Sequence, residues 1–381
     1  MMSDLVTRWA QRDRVREAAM STSAARDLVA RYVAGQDLDD LIPVLISLID
    51  KGLLVSVGYL GDHVNTLEQA AANKDVYLTI VRRLSDEGIS SSSELSLRLS
   101  RLGQRLGAEG RHFALGAART ICRAASNAGV LVTVDMGDYE LVEPTLRAWE
   151  QLHQDIPAVG VTVQAALHRT QRDLSDLAMP GRRIRLCKGV FREPKQVAFR
   201  NRHEIDLAFV RDLRMLMNSQ VIALVASHDP RMISIAEELI RRTGRPPESY
   251  EFQMLHGVRP MEQRRLADVG YRSRVLVPFG PGWYDYYTQR LAERPANAAL
   301  FARSLFGKRC GGGDCRAHAS TSGARDPADS RDIAGQVGGL LHPQHHQPAD
   351  LPGALVGADI DDELGGHPRP ALARPRLSAG Q

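Results

Sequence analysis

From residue 50 onward, short runs rich in Val, Ile and Leu alternate with longer stretches in which apolar residues recur every three or four positions. The runs have the length of buried strands and the stretches have the period of helices. The pattern therefore predicts βα units and a parallel sheet rather than a sandwich. Strand-like runs fall at 53–58, 94–99, 131–135, 161–164, 183–187, 221–225, 251–254 and 274–277. Eight strands with room for a helix after most of them are what a (β/α)8 TIM barrel of the α/β class requires. Phe113, Ala117, Ile121 and Ala125 mark one intervening helix, and Leu207, Val210, Leu213 and Leu216 another. Before the first strand, residues 24–51 read as helical, with Leu41, Val44, Leu45 and Leu48 on one face that packs on the exterior or base of the barrel.

The apolar patterning stops after Phe306. Residues 308–381 contain no Phe, Trp or Tyr, and about a quarter of them are Gly or Pro, the level expected of disordered segments. The expected organisation is an N-terminal helical segment at 1–50, a catalytic barrel at 51–307 and a disordered tail at 308–381. A solvated linker accounts for His342, His345 and His346 in that tail, and no metal site is expected.

Over all 381 residues, 43% are hydrophobic and 25% charged, enough apolar material for one large core. The formal net charge of +4 comes from scattered basic residues, which argues against a nucleic-acid footprint. Cys122, Cys187, Cys310 and Cys315 are too few and too unevenly placed for a disulfide framework, so a reducing, cytoplasmic compartment is expected. Residues 1–16 carry charges throughout, unlike a signal peptide, and no apolar run is long enough to span a membrane.

In a parallel barrel the active site forms at the carboxyl ends of the strands. Polar residues gather there: Arg98 on the second strand, Asp135 ending the third, Gln164 ending the fourth, Arg185 on the fifth running into Lys188 and Gly189, and Ser227, His228 and Asp229 after the sixth. After the eighth come Gly280 and Gly282, then a helix bearing Tyr286, Gln289, Arg290 and Glu293. Arg98, Arg185, Lys188 and Arg290 outnumber Asp135, so the expected site is cationic and receives an anion such as a carboxylate or a phosphate. Each element also has a plainer reading. Asp135 and Arg185 fit a structural ion pair, His228 a hydrogen-bonded interior histidine, and the aromatic cluster from Trp283 to Tyr287 ordinary helix packing.

The order of the segments goes further. GYLGDHV (58–64), LSLRLSRLG (95–103), VTVDMGDYELVEPTL (132–146), VTVQAALHRTQRDL (161–174), RIRLCKGVFREPKQVAF (183–199), ASHDP (226–230), YEFQMLHGVR (250–259) and VLVPFGPGWYDYYTQRLAERPAN (275–297) are collinear with segments of one family. Over roughly residues 15–307 the chain resembles the proline dehydrogenases, including the barrel domain of bifunctional proline utilisation proteins. The resemblance implies a distorted (β/α)8 barrel holding FAD, which oxidises L-proline to Δ1-pyrroline-5-carboxylate and passes electrons to a membrane quinone, with peripheral contact at the inner face of the membrane. By position it implies that Val134, Gln164, Arg185, Lys188, Gly189, Val190, Ser227 and His228 line the flavin, with Lys188 supplying positive charge to the reduced ring. Asp135 and Arg185 match catalytic positions. Arg98, Gln289 and Arg290 match the substrate clamp, and Glu293 orders the neighbouring arginines.

Some positions depart from the family pattern. Gln289 stands where a second arginine is usual, Arg98 where a lysine is usual, Val190 and Phe191 where KGAY is usual, Gly137 where an acid is usual and Ala166 where an aromatic is usual. A neutral amide at 289 weakens the hold on a carboxylate, and Arg98 has the reach to restore it. These changes cluster around the substrate. They leave open a flavin oxidoreductase for another cyclic imino acid or N-alkyl amino acid, and a barrel that binds flavin or a metabolite without turnover.

Overall fold

The computed structural model describes residues 30–284, except Asp62, together with Tyr286. Eight strands close into a parallel barrel in sequence order, each hydrogen-bonded to the next and β8 to β1. They are β1 (Leu54–Tyr59), β2 (Ser93–Leu97), β3 (Leu131–Val134), β4 (Gly160–Gln164), β5 (Arg183–Cys187), β6 (Ile222–Ala226), β7 (Tyr250–Leu255) and β8 (Ser273–Phe279). Before β1 lies helix α1 (Leu38–Ile49), and between successive strands come α2 (Leu67–Asp86), α3 (Gly107–Asn127), α4 (Tyr139–Asp155), α5 (Thr170–Leu177), α6 (Arg202–Met217), α7 (Pro230–Thr243) and α8 (Pro260–Asp268). All eight expected strands are present within two residues of their predicted bounds.

Local chemistry starts and stops these helices. Thr66 and Gln69 form a reciprocal capping box at α2. Asp229 caps α7 by accepting the Arg231 amide at 3.1 Å, ahead of Pro230 in the first turn, and Gly244 in the left-handed region ends it.

Strand alternation sorts the chain into two interiors. Val55, Val57, Leu95, Leu97, Val132, Val134, Val161, Val163, Ile184, Leu186, Ala223, Val225, Phe252, Met254, Val275 and Val277 all belong to the apolar core between sheet and helices. The residues between them point the other way, into the barrel, and most are polar: Ser56, Glu94, Ser96, Thr133, Thr162, Arg183, Arg185, Glu251, Gln253 and Arg274 are all buried. The inside of the barrel is thus a hydrogen-bonded, charged layer rather than the aliphatic filling usual for the fold.

Three expectations need correction. Among the described residues, the helix expected over 24–51 is present at Ala30 and again over Leu38–Ile49, with a break between. Gly35 at φ +115° breaks it, and the preceding segment lies against the end of β8 through Ala34 N–H to Pro278 O (2.9 Å) and Gly280 N–H to Gly35 O (3.1 Å). Leu207 is 58% exposed while Leu213 and Leu216 are buried. A three-residue step falls about 60° short of a full helical turn, so Leu207 precesses off the face that Leu216 occupies. Arg98 lies just beyond β2, at the start of a 3₁₀ turn (Leu99–Leu102), rather than within the strand. Gln289, Arg290, Glu293 and the tail from 308 lie outside the described residues.

Candidate active site at the barrel mouth

The centre of the site is Arg185, projecting from β5 into the barrel. Its Nε donates to Gln253 Oε1 at 2.6 Å, its Nη1 to Asp135 Oδ1 at 2.7 Å and to Ser96 Oγ at 3.2 Å, and its Nη2 to Glu94 Oε1. Asp135 follows β3 directly, anchored by its own amide on Leu97 O at 2.8 Å. Its other oxygen accepts from Ser96 Oγ at 2.7 Å. Asp135 remains partly open to solvent, whereas Arg185 is buried, so the pair presents its carboxylate end to the mouth.

Behind Arg185 lies Glu94, wholly buried on β2. Oε1 accepts from Ser56 Oγ at 3.0 Å as well as from Arg185, and Oε2 accepts from Thr133 Oγ1 at 2.9 Å and Arg183 Nη2 at 3.0 Å. Burial on its own would push this carboxyl up. The charges of Arg185, Arg274 and Arg183 outweigh burial and hold it at about 2. Nearer the base, Arg274 forks onto Glu251 (2.6 and 3.0 Å) and donates to the Val55 and Ser92 carbonyls. Gln253 joins the two groups, donating to Glu251 at 2.7 Å while accepting from Arg185. Arg183, Arg185 and Arg274 are thereby balanced by Glu94, Glu251 and Asp135.

A second ionic cluster lies after β5 and β6. Lys188 Nζ donates to Asp206 Oδ1 and, at 2.9 Å, to Asp229 Oδ2. Arg231 Nη2 donates to Asp206 Oδ2 and Asp229 Oδ2, both at 2.7 Å. Two of the cations expected in the site are neutralised here. Arg185 and Lys188 are each matched by carboxylates, two of which, Glu94 and Asp206, the sequence reading had not assigned to the site. Arg98 differs: its guanidinium has no hydrogen bond or ion pair to another described side chain. Beside it the Tyr77 hydroxyl is buried and pushed up to about 12 by that burial, within electrostatic reach of both Arg98 and Asp135.

The remaining mouth residues are also fixed. Gln164 donates its amide to Gly137 O at 2.7 Å, leaving its Oε1 without a donor among the described residues. Gly189 has φ +106°, and a Cβ there would lie 3.2 Å from both Gln164 Oε1 and Ala166 Cβ. His228 Nε2 accepts the Leu255 amide at 2.8 Å, which puts its proton on Nδ1. Ser227 Oγ accepts the Asp229 amide at 3.2 Å. Glu193, in the loop after β5, accepts the first amide of α4 (Tyr139 N–H, 3.0 Å) and ties that loop to the one after β3. Gly280 and Gly282 do not form a phosphate cradle: their amides are taken by Gly35 O and Leu60 O (3.1 and 2.7 Å). A Cβ on either would come within 2.9 Å of Leu60 O, so both are glycine because the chain after β1 runs against them.

Could this mouth hold a flat, largely apolar ring system with polar edges? Val190 and Phe191, directly after Gly189, are 51% and 39% exposed, an apolar pair open to solvent at the end of β5. The absence of a side chain at Gly189 leaves room beside Gln164, whose free Oε1 can accept an imide N–H. Arg185 has five N–H donors and the described residues take four, so one is left for a ring nitrogen or a ligand. Such a donor set fits a flavin. It does not fit a metal, and no metal-binding cluster occurs among the described residues.

Comparisons with known proteins show the family. The family model described as proline dehydrogenase matches residues 44–301. Proline dehydrogenase 1 of Bacillus subtilis (strain 168) is 34% identical over 278 residues, covering 73% of this chain and 90% of the relative. Proline dehydrogenase of Deinococcus radiodurans is 30% identical over 281 residues, covering 73% and 90%. Among solved structures, proline utilization A (PutA) from Bdellovibrio bacteriovorus inactivated by N-propargylglycine superposes with a TM-score of 0.65 at 19% identity. That match covers 75% of this chain and 34% of the PutA chain, so this chain spans about a third of PutA.

Proposed function

Because this chain belongs to the proline dehydrogenase family, we propose that its barrel mouth binds FAD and oxidises L-proline to Δ1-pyrroline-5-carboxylate, with a quinone as electron acceptor. The observation that carries this reading is the buried Arg185–Asp135 pair at the carboxyl ends of β5 and β3, with Arg98 just beyond β2 and without a side-chain partner among the described residues.

Bound FAD would supply the two-electron acceptor for the hydride leaving C5 of proline. Gln164, Arg185, Lys188, Gly189, Val190, Ser227 and His228 would hold it, by the donors, the acceptor and the glycine opening described above, and Val134, whose side chain is buried in the sheet–helix core, would contribute through its backbone alone. The chain's own part is to bind, orient and exclude water. Arg98, Gln289 and Arg290 would take the substrate carboxylate, and guanidinium groups suit it because their N–H donors match a carboxylate in a bidentate fork. Asp135 accepts from both Arg185 and Ser96. It keeps the guanidinium of Arg185 turned toward the mouth. The proton leaving the substrate nitrogen passes to solvent. Lys188 contributes less net charge than a lone lysine would, because Asp206 and Asp229 accept from it.

Quinone use would bring the protein to the membrane surface from the cytoplasmic side. That contact is read as peripheral. Among the described residues no helix is long and apolar enough to cross a membrane. The test is anaerobic: purified protein is examined for the long-wavelength flavin band, and L-proline is added. Bleaching by proline supports the reading. A flavin that proline leaves oxidised and another cyclic imino acid bleaches moves the substrate to that acid, and protein without flavin sinks the assignment.

A further inference from the structure

We propose that Glu94 is a positioning residue of this site, acting through Arg185; the proposal rests on the flavin-dependent reading above. Four observations converge on it. Glu94 has no exposed surface, so its carboxylate can touch neither substrate nor solvent. Each of its two oxygens accepts two hydrogen bonds, from donors on β1, β3 and β5, which fixes the group in one orientation. One of those donors is Nη2 of Arg185, and the opposite face of the same guanidinium holds Asp135. Among the described residues, Glu94 and Asp135 are the two carboxylates hydrogen-bonded to Arg185, and of the two only Asp135 reaches the mouth.

The consequence is a division of labour. Asp135 keeps its open edge toward the ligand only if Arg185, which donates to it at 2.7 Å, is itself held from behind and cannot turn away. A guanidinium held at three of its nitrogens by Glu94, Gln253 and Ser96 cannot rotate, so its remaining donor has one direction. With glutamine at 94 the shape is kept, but the acceptor charge is lost and one amide N–H faces the arginines. Asp135 is then the one carboxylate left to Arg185 among the described residues, beside the neutral acceptors Gln253 and Ser96, and the barrel interior carries one uncompensated positive charge. Positive charge favours the electron-rich reduced flavin, so the midpoint potential should rise while turnover falls.

The experiment compares Glu94→Gln, the double variant Glu94→Gln/Arg183→Met and the parent protein, each purified with bound flavin. Flavin content, midpoint potential, kcat and KM for proline are read for each. In Glu94→Gln the reduced-to-oxidised ratio at fixed potential should rise at least tenfold, about 30 mV for a two-electron couple. The kcat should fall at least tenfold, and KM should change less. The double variant restores neutrality and the fold but not the anchor on Arg185, so its potential returns toward the parent value while kcat stays low. If kcat recovers with it, Glu94 merely balances charge and the proposal is overturned. It is equally overturned if folded, flavin-loaded Glu94→Gln matches the parent in potential and kcat. Should Glu94→Gln fail to fold, the double variant decides between the same two results. Failure of the functional reading itself looks different, because the parent protein would then show no flavin or no bleaching by proline.

Discussion

Replacing Arg274 by methionine should unfold the barrel far more readily while leaving its chemistry in place. Arg274 is 1% exposed and forks onto Glu251, which is equally buried. It also donates to Val55 O at 2.7 Å and Ser92 O at 3.1 Å, carbonyls at the amino ends of β1 and β2. Its removal strands the Glu251 charge with the Gln253 amide at 2.7 Å and Arg272 at 3.7 Å. Breaking a buried pair from one side typically costs about 3–5 kcal/mol, because the surviving ion keeps its desolvation penalty and loses its partner. For a domain of this size that is a drop of roughly 10 °C in the melting temperature. Neutralising both ends, Arg274→Met/Glu251→Gln, should recover much of the loss, since no uncompensated ion remains. Urea unfolding of the three proteins measures this, with kcat taken well below the lowered melting temperature. A single variant within about 1 kcal/mol of the parent would refute the argument, as would a double variant no more stable than the single one.

Four further outcomes follow from the same geometry. Gly189→Ala should strain the backbone by about 1–3 kcal/mol, because alanine at φ +106° is unfavourable and its Cβ crowds Gln164 and Ala166; flavin content of the purified protein should drop, and full occupancy would contradict this. Asp135→Asn replaces a charge-assisted bond to Arg185 worth about 1.5–3 kcal/mol, so kcat/KM should fall by roughly 10- to 100-fold, and a loss under threefold would remove Asp135 from the mechanism. Gln289→Arg should lower KM for proline if the amide weakens carboxylate binding, an account that an unchanged or higher KM defeats. Glu94 has a folded-state value of about 2, below its ordinary 4.5, so its ionisation stabilises the protein above pH 4.5 and that contribution is lost as pH falls from 4.5 through about 2. Glu94→Gln should therefore show a flatter decline in unfolding midpoint over that window, and an equally steep one would show that other carboxylates dominate.

The barrel was legible because its strands are short apolar runs separated by helix-length amphipathic stretches, a pattern that local chemistry alone produces. Where the reading overran, tertiary contacts decided. The helix expected from residue 24 is interrupted by Gly35, whose carbonyl is held by the Gly280 amide, a partner about 245 positions along the chain. Asp135 and Arg185 stood out as strand-end polar residues in a parallel barrel, and the fold brings the two together at 2.7 Å. Glu94 and Glu251 were missed although SELSL and YEFQML each alternate polar with apolar. In a closed barrel that alternation puts the polar side chains inside, where every charge needs a counter-charge. Asp206 gave no such signal, since nothing local indicates that the second turn of α6 reaches Lys188.

A barrel interior filled with aliphatic side chains would avoid all of these desolvation penalties, and replacing buried ion pairs by packed apolar residues is often neutral or stabilising. The charges here follow from a single demand at the mouth. A buried arginine on β5 that leaves a donor free for a ligand needs a carboxylate that the ligand cannot reach, and Glu94 is that group. Glu94 has a second oxygen, which needs its own cation, and Arg183 supplies it at 3.0 Å. The Nε of Arg185 needs a neutral acceptor, Gln253, whose amide then needs Glu251, which in turn needs Arg274. Each step satisfies a group left unsatisfied by the step above, until the chain of partners ends on backbone carbonyls near the base. The charged interior is thus the continuation of the site into the barrel, and its members should tolerate replacement as complete pairs and resist it singly.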